Sequence, residues 1–146
     1  MKKWLVCFLL AAASGSALAD DWIEIAKDTD QTSYINPLYV SDIDGNGNIS
    51  SWIKYVFKKP IESKKIGDFY MILLEVDCGK SKSFEIAKVV SYSRSGRVKS
   101  EQSFNDPKSS FIPGTRGAVW YTASCLAWIS NEAKRIEARK KWETNQ

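Results

Sequence analysis

From residue 22 to residue 104 the chain alternates apolar and polar positions with a period of two, the pattern of half-buried strands. Trp22-Ile23-Glu24-Ile25 predicts a first strand, and Asp28-Thr29-Asp30-Gln31 a turn after it. Ser33-Tyr34-Ile35 predicts a second strand, stopped by Asn36-Pro37, with residues 38–43 as a further extended piece. Asp44-Gly45-Asn46-Gly47-Asn48 reads as a tight turn, because Gly and Asn tolerate positive φ. Residues 49–58 then set Ile49, Ile53, Tyr55 and Phe57 on one face and Trp52, Lys54, Val56 and Lys58 on the other. A polar loop over 59–68 leads to the most strongly patterned strand, with Tyr70, Ile72, Leu74, Val76 and Cys78 on one face. Turns at Gly79-Lys80-Ser81 and Ser95-Gly96 separate two more strands, over 84–93 and 98–104.

At Thr115 the period changes. Ala118, Thr122, Cys125, Leu126, Ile129, Ala133 and Ile136 fall on one helical stripe, with Thr115 as N-cap and Arg139, Lys140 and Lys141 suiting the C-terminal end near Trp142. The stripe predicts that this side packs on the sheet. On the other side Tyr121, Trp128 and Trp142 recur at multiples of seven, with Arg135 at the missing position. That face is expected either to meet a second copy or another protein, since aromatic rings bury much area at low entropic cost, or to be covered by the chain's own loops. The fold class expected is α+β: a mostly antiparallel sheet of five to six strands with one long C-terminal helix packed on it.

The first residues change how the cysteines are counted. Lys2 and Lys3, an apolar run over 4–13, and Ala17-Leu18-Ala19 form the pattern of a secretory leader cleaved before Asp20. Leu5-Val6 before Cys7 is not a lipoprotein cleavage pattern, so Cys7 is expected to leave with the leader. Cys78 and Cys125 then remain, and an even pair in an exported chain implies a disulfide joining strand to helix. The organisation expected is a leader over 1–19, one α+β domain over 20–130 and a charged helical extension over 131–146, with no transmembrane segment in the mature chain. It would reside in the periplasm, at the cell surface or outside.

Charge and candidate chemistry narrow the function. The net charge of +4 falls to +2 without Lys2 and Lys3, which does not mark a nucleic-acid binder. There is no histidine, the commonest general base and metal ligand, and no phosphate-cradling glycine loop. Glu75 and Asp77 share a strand face but read as a solvated pair, so no enzyme and no cofactor is expected. Asp42, Asp44 and Asn46 occupy the first three ligand positions of an EF-hand-like loop, with Gly47 at its sharp turn. Ile53 stands where the bidentate Glu belongs, so this is a weak calcium candidate beside a plain hairpin turn. Lys58, Lys59, Lys64 and Lys65 form a basic cluster able to attract an acidic partner, or simply a solvated loop.

Several of these segments together resemble the surface-adhesin protein E family of exported bacterial proteins. They are Trp22-Ile23-Glu24-Ile25, Ser33-Tyr34-Ile35-Asn36, Trp52-Ile53-Lys54-Tyr55, Glu75-Val76-Asp77-Cys78, Ser91-Tyr92-Ser93 and Ile112-Pro113-Gly114-Thr115, followed by the helix with Cys125. The resemblance implies an antiparallel sheet with a disulfide-tethered helix. It also implies dimerisation, and binding of host matrix and serum proteins such as laminin and vitronectin. The basic stretch it assigns to binding matches Lys58, Lys59, Lys64 and Lys65, then Lys80 and Lys82, here interrupted by Glu62 and Asp68. A periplasmic accessory protein without a host ligand is the alternative expectation.

Overall fold

The computed structural model describes residues 21–44, 46–79, 81–105, 109–110 and 112–143; the leader over 1–19 lies outside them. The elements are β1 (Ile23–Lys27), β2 (Gln31–Val40), β3 (Ile49–Phe57), β4 (Phe69–Asp77), β5 (Ser83–Tyr92), β6 (Val98–Ser103), β7 (Ser109–Ser110) and α1 (Arg116–Glu143). Strands β1 to β6 lie side by side in chain order, each antiparallel to its neighbour, and the short β7 pairs with the start of β5. The α+β class, the sheet and its single tethered helix are as the periodicity predicts.

One face of this sheet carries the core. The alternation of β3 buries Ile49, Ser51, Ile53, Tyr55 and Phe57, and β4 adds Ile72, Leu74 and Val76. Register places Ile53 opposite both Ile35 and Ile72, so three strands contribute one apolar row. The second strand runs on through Pro37, where a stop was expected. Proline has no N–H for the ladder, and the pairing with β3 slips between Ile35 and Val40. Buried Asn36 compensates locally: its Oδ1 accepts the Leu38 N–H at 3.0 Å.

α1 packs on the core face, with Thr115 Oγ1 accepting the Ala118 N–H as an N-cap. The side that packs is not the one the stripe predicts. Trp120, Tyr121, Ser124, Cys125 and Ala127 are buried, with Trp128 half-buried against the same cluster, whereas Thr122, Leu126, Ile129, Ala133 and Ile136 are exposed. The helix is apolar on two sides, and the aromatic side buries more area. Trp120 stands edge-on to Tyr55 with ring centroids 5.8 Å apart and donates its indole N–H to buried Ser33 Oγ at 3.1 Å. Ser124 donates to Ser51 Oγ at 2.9 Å. These polar atoms satisfy one another in the core, and only this side of the helix could supply the indole N–H and the Ser124 hydroxyl.

Three further contacts fasten the helix. Arg116 bonds Asp28, in the β1–β2 turn, and the Tyr55 hydroxyl. Asn131 donates to the Pro37 carbonyl at 2.7 Å. Between them Cys78, just past β4, and Cys125 form a disulfide with Cα atoms 5.7 Å apart, spanning 47 positions. Closing a loop of that length removes denatured-state entropy worth about 4 kcal/mol in the chain-entropy account. Reduction is therefore expected to lower unfolding stability by up to about that amount. Urea unfolding with and without reductant measures it; an unchanged midpoint would mean that packing alone holds the helix.

Candidate binding surface

The other face of the sheet is covered by no element among the described residues. Its centre is built by even-numbered positions of β3 and odd-numbered positions of β4. Trp52 pairs with Leu73, Lys54 with Met71 and Val56 with Phe69, while Val90 and Tyr92 of β5 continue the rows beside Met71 and Phe69. Tyr39 and Trp22 extend it at the β1–β2 side, their rings 5.7 Å apart. Phe69 and Tyr92 stack at 4.9 Å. Lys54 Nζ lies over Phe69 at 4.9 Å and over Trp22 at 5.6 Å, which keeps its charge above aromatic rings and gathers them around it. Tyr39, Trp52, Met71 and Tyr92 line a shallow hollow of about 200 Å³ in this surface. At the margin Glu75 accepts from Ser50 at 2.7 Å, and Lys88 pairs with Glu101 at 2.7 Å. An apolar, aromatic centre with a charged rim has the anatomy of a protein interface.

The lysine cluster is not one patch. Lys58 donates to the Asp28 carbonyl at 2.9 Å, and Lys59 pairs with Asp30 at 2.8 Å, so both lean on the β1–β2 turn. Lys64 crosses the Tyr70 ring at 4.8 Å and donates to Ser91 Oγ. Lys65 is exposed and lines a hollow of about 430 Å³ with Ile66, Asp68, Ser93, Arg94 and Ser95. Arg94, in the β5–β6 turn, stands against this loop and was not part of the predicted cluster. The positive φ of Gly67 lets the loop pass within contact distance of Arg94, where a Cβ would meet its side chain at 3.1 Å. Only the pairing order of β4, β5 and β6 brings that turn alongside.

Asp68 organises this end of the sheet. It is buried, and accepts from Lys99 Nζ at 2.8 Å and from the Lys65 and Arg94 amides at 3.0 Å each. The Lys99 hydrogen bond first, then the two amides, hold its carboxyl at about 2, below the ordinary 3.8. Asp28 is likewise held at about 2, first by the Asp30 amide and then by Gln31 and Arg116.

The remaining predicted positions are placed as follows. Asp44 Oδ1 accepts the amides of Asn46 and Asn48 at 2.8 and 2.9 Å, which closes a hairpin turn with its own backbone. Among the described residues no three His, Cys, Asp or Glu side chains gather, and Ile53 at the twelfth loop position is wholly buried. The calcium reading of Asp42, Asp44 and Asn46 gains no support from this arrangement. Tyr121 is 8% exposed, inside the core and not on an outer partner face. Burial, and then nearby Asp77, push its phenol above the ordinary value. Trp128 keeps one edge open to a hollow it shares with Cys78, Asp77 and the Asn46-Gly47 turn. The side chains of Arg135 and Trp142 lie outside the described residues, as does Lys80. Glu75 and Asp77 hold different partners: Asp77 receives Ser81 Oγ and the Gly79 amide.

No protein-family model, curated protein or solved structure matches this chain.

The depressed carboxyl of Asp68 makes a pH prediction. Its contribution is complete above the unfolded value near 3.8 and is lost as pH falls towards about 2. Asp68→Asn is expected to lower the melting temperature at neutral pH, with the two curves converging in acid. Thermal unfolding across that range tests it; a constant difference at every pH would contradict it.

Proposed function

We propose that the chain is a non-catalytic, exported, adhesin-like binding module whose open sheet face takes the surface of another protein. What supports this above all is the aromatic face itself, which no described element covers and on which Trp52, Met71 and Tyr92 are partly exposed. A two-layer domain normally buries its apolar sheet faces, and a contiguous apolar surface left open marks an interaction site. Trp52, Met71 and Tyr92 supply the anchoring area, Lys54 a central charge and Lys88, Glu75 and Glu101 the rim. Tryptophan and tyrosine at the centre of a patch are the residues that dominate binding energy at interfaces. Lys59 and Lys65, both exposed, lie at the loop end and contribute steering more than contact.

The resemblance to the protein E family supports a matrix or serum protein as the partner, and an envelope protein is the alternative for a chain retained in the periplasm. Surface plasmon resonance over immobilised laminin and vitronectin discriminates these, together with protease accessibility on intact cells. Binding is expected to fall at least tenfold in a Trp52→Ala, Met71→Asp variant and only two- to threefold in Lys59→Ala, Lys65→Ala. Unchanged binding in the first variant would remove the sheet face from the site. Absence of binding by a chain shielded from external protease would select the envelope partner.

A further inference from the structure

The open sheet face carries a charge at its centre that makes no ion pair among the described residues. It belongs to Lys54, in a row that crosses the whole sheet: Glu24, Tyr34, Lys54, Met71, Val90 and Glu101 face one another in register from β1 to β6. The two acids of that row stand two and three strands away from it, roughly 10 and 15 Å at the spacing of paired strands. The Lys54 ammonium rests instead over Trp22 at 5.6 Å and Phe69 at 4.9 Å. Trp22 leans on Tyr39 and Phe69 stacks on Tyr92, so the charge stands between two ring pairs. Tyr39 and Tyr92 are the members of those pairs that line the hollow, and Trp52 and Met71 complete it.

We propose that this hollow takes a carboxylate-bearing sugar ring at the end of a glycan on the partner protein, with Lys54 receiving the carboxylate. The inference rests on the reading of the sheet face as the binding surface, and names what that face grips. Size limits the occupant. The hollow, about 200 Å³, is smaller than the roughly 300–1,000 Å³ of sites that enclose a drug-sized molecule, which leaves room for one ring. A pyranose presents C–H groups across its ring face and hydroxyls around its edge. The C–H face is attracted to the negative faces of aromatic rings, which Tyr39, Trp52 and Tyr92 supply around the polarizable Met71 thioether.

The polar groups around the hollow suit the edge of such a ring. On the β3 side stands the Lys54 ammonium, which forms a charge-assisted hydrogen bond with a carboxylate. On the β5–β6 side the register sets Lys88 opposite Leu73, in the row of Trp52, and Glu101 opposite Val90, in the row of Met71. Lys88 and Glu101 bond each other at 2.7 Å with 35% and 53% of their side chains exposed, so a donor and an acceptor sit side by side and both reach solvent. Adjacent sugar hydroxyls, each able to donate and accept, match that pair. An Asp or Glu side chain of a protein would satisfy Lys54 alone. It has no ring face for the hollow and no hydroxyls for Lys88 and Glu101. Charge complementarity at Lys54 also selects an acidic sugar over a neutral one.

Without residues 1–19 the chain contains a single methionine, Met71, so a carbon-13 methyl label on methionine gives one NMR signal that reads the hollow directly. Sialyllactose serves as the acidic probe and lactose as the neutral one. Sialyllactose is expected to move the Met71 signal with a dissociation constant on the order of a millimolar, because a single ring in a shallow hollow buries little area. Lactose at the same concentration is expected to leave the signal in place. Lys54→Met is expected to weaken sialyllactose about tenfold, and Glu101→Gln about threefold, with circular dichroism spectra unchanged. A Met71 signal that stays still in tens of millimolar sialyllactose overturns the inference. So does an equal response to lactose, or an affinity that Lys54→Met leaves untouched. Sialidase treatment of the immobilised laminin and vitronectin separates this inference from the reading beneath it. Loss of wild-type binding after treatment is the expected result. Binding that survives treatment but is lost in the Trp52→Ala, Met71→Asp variant removes the sugar and keeps the sheet face, whereas binding that survives both removes both.

Discussion

One helix can cover only one face of a sheet, and this sheet is apolar on both. Most of what distinguishes the molecule follows from that constraint. The covered face is chosen by chemistry as well as by area. Tyr55 offers a ring for Trp120, Ser33 takes the indole proton, Ser51 takes the Ser124 hydroxyl, and Cys78 sits where Cys125 can reach it. These partners all lie on the covered face; the opposite one presents Trp52, Met71 and Tyr92 around Lys54. The helix therefore has one place to dock, and the aromatic rows on the far side stay open.

Charge does mainly structural work at the loop end. Asp28 and Asp68 each turn a carboxylate onto amides of their own turn or of a neighbouring one, and Asp44 does the same at the opposite end of the sheet. Lys58, Lys59 and Lys64 are drawn against that framework in the same way. A run of lysines in sequence thus becomes a set of separately tethered side chains in space. What the domain displays together is rings more than charge.

The strands were legible because period two survives in β3 and β4 almost residue for residue, and the turn residues between them are unambiguous. The cysteine pair, and Thr115 as the start of the helix, were legible for similarly local reasons. The helix face was not. Two apolar stripes share one helix, Cys125 lies at their boundary, and the serine and indole hydrogen bonds across the layers help to decide between them. These bonds join residues far apart in the chain, which no periodicity reveals. The passage of β2 through Pro37 was also hidden, since it depends on the Asn36 side chain replacing a lost ladder contact. The second face of β3 could be read from Trp52, Lys54 and Val56, but that no described element covers it depends on where the helix docks.

Because α1 lies on one side of the sheet and the aromatic rows on the other, the two surfaces point in opposite directions. Whatever engages the helix leaves the rows unobstructed, and the reverse holds too. A molecule laid out in this way can be joined through its back while its front remains fully presented.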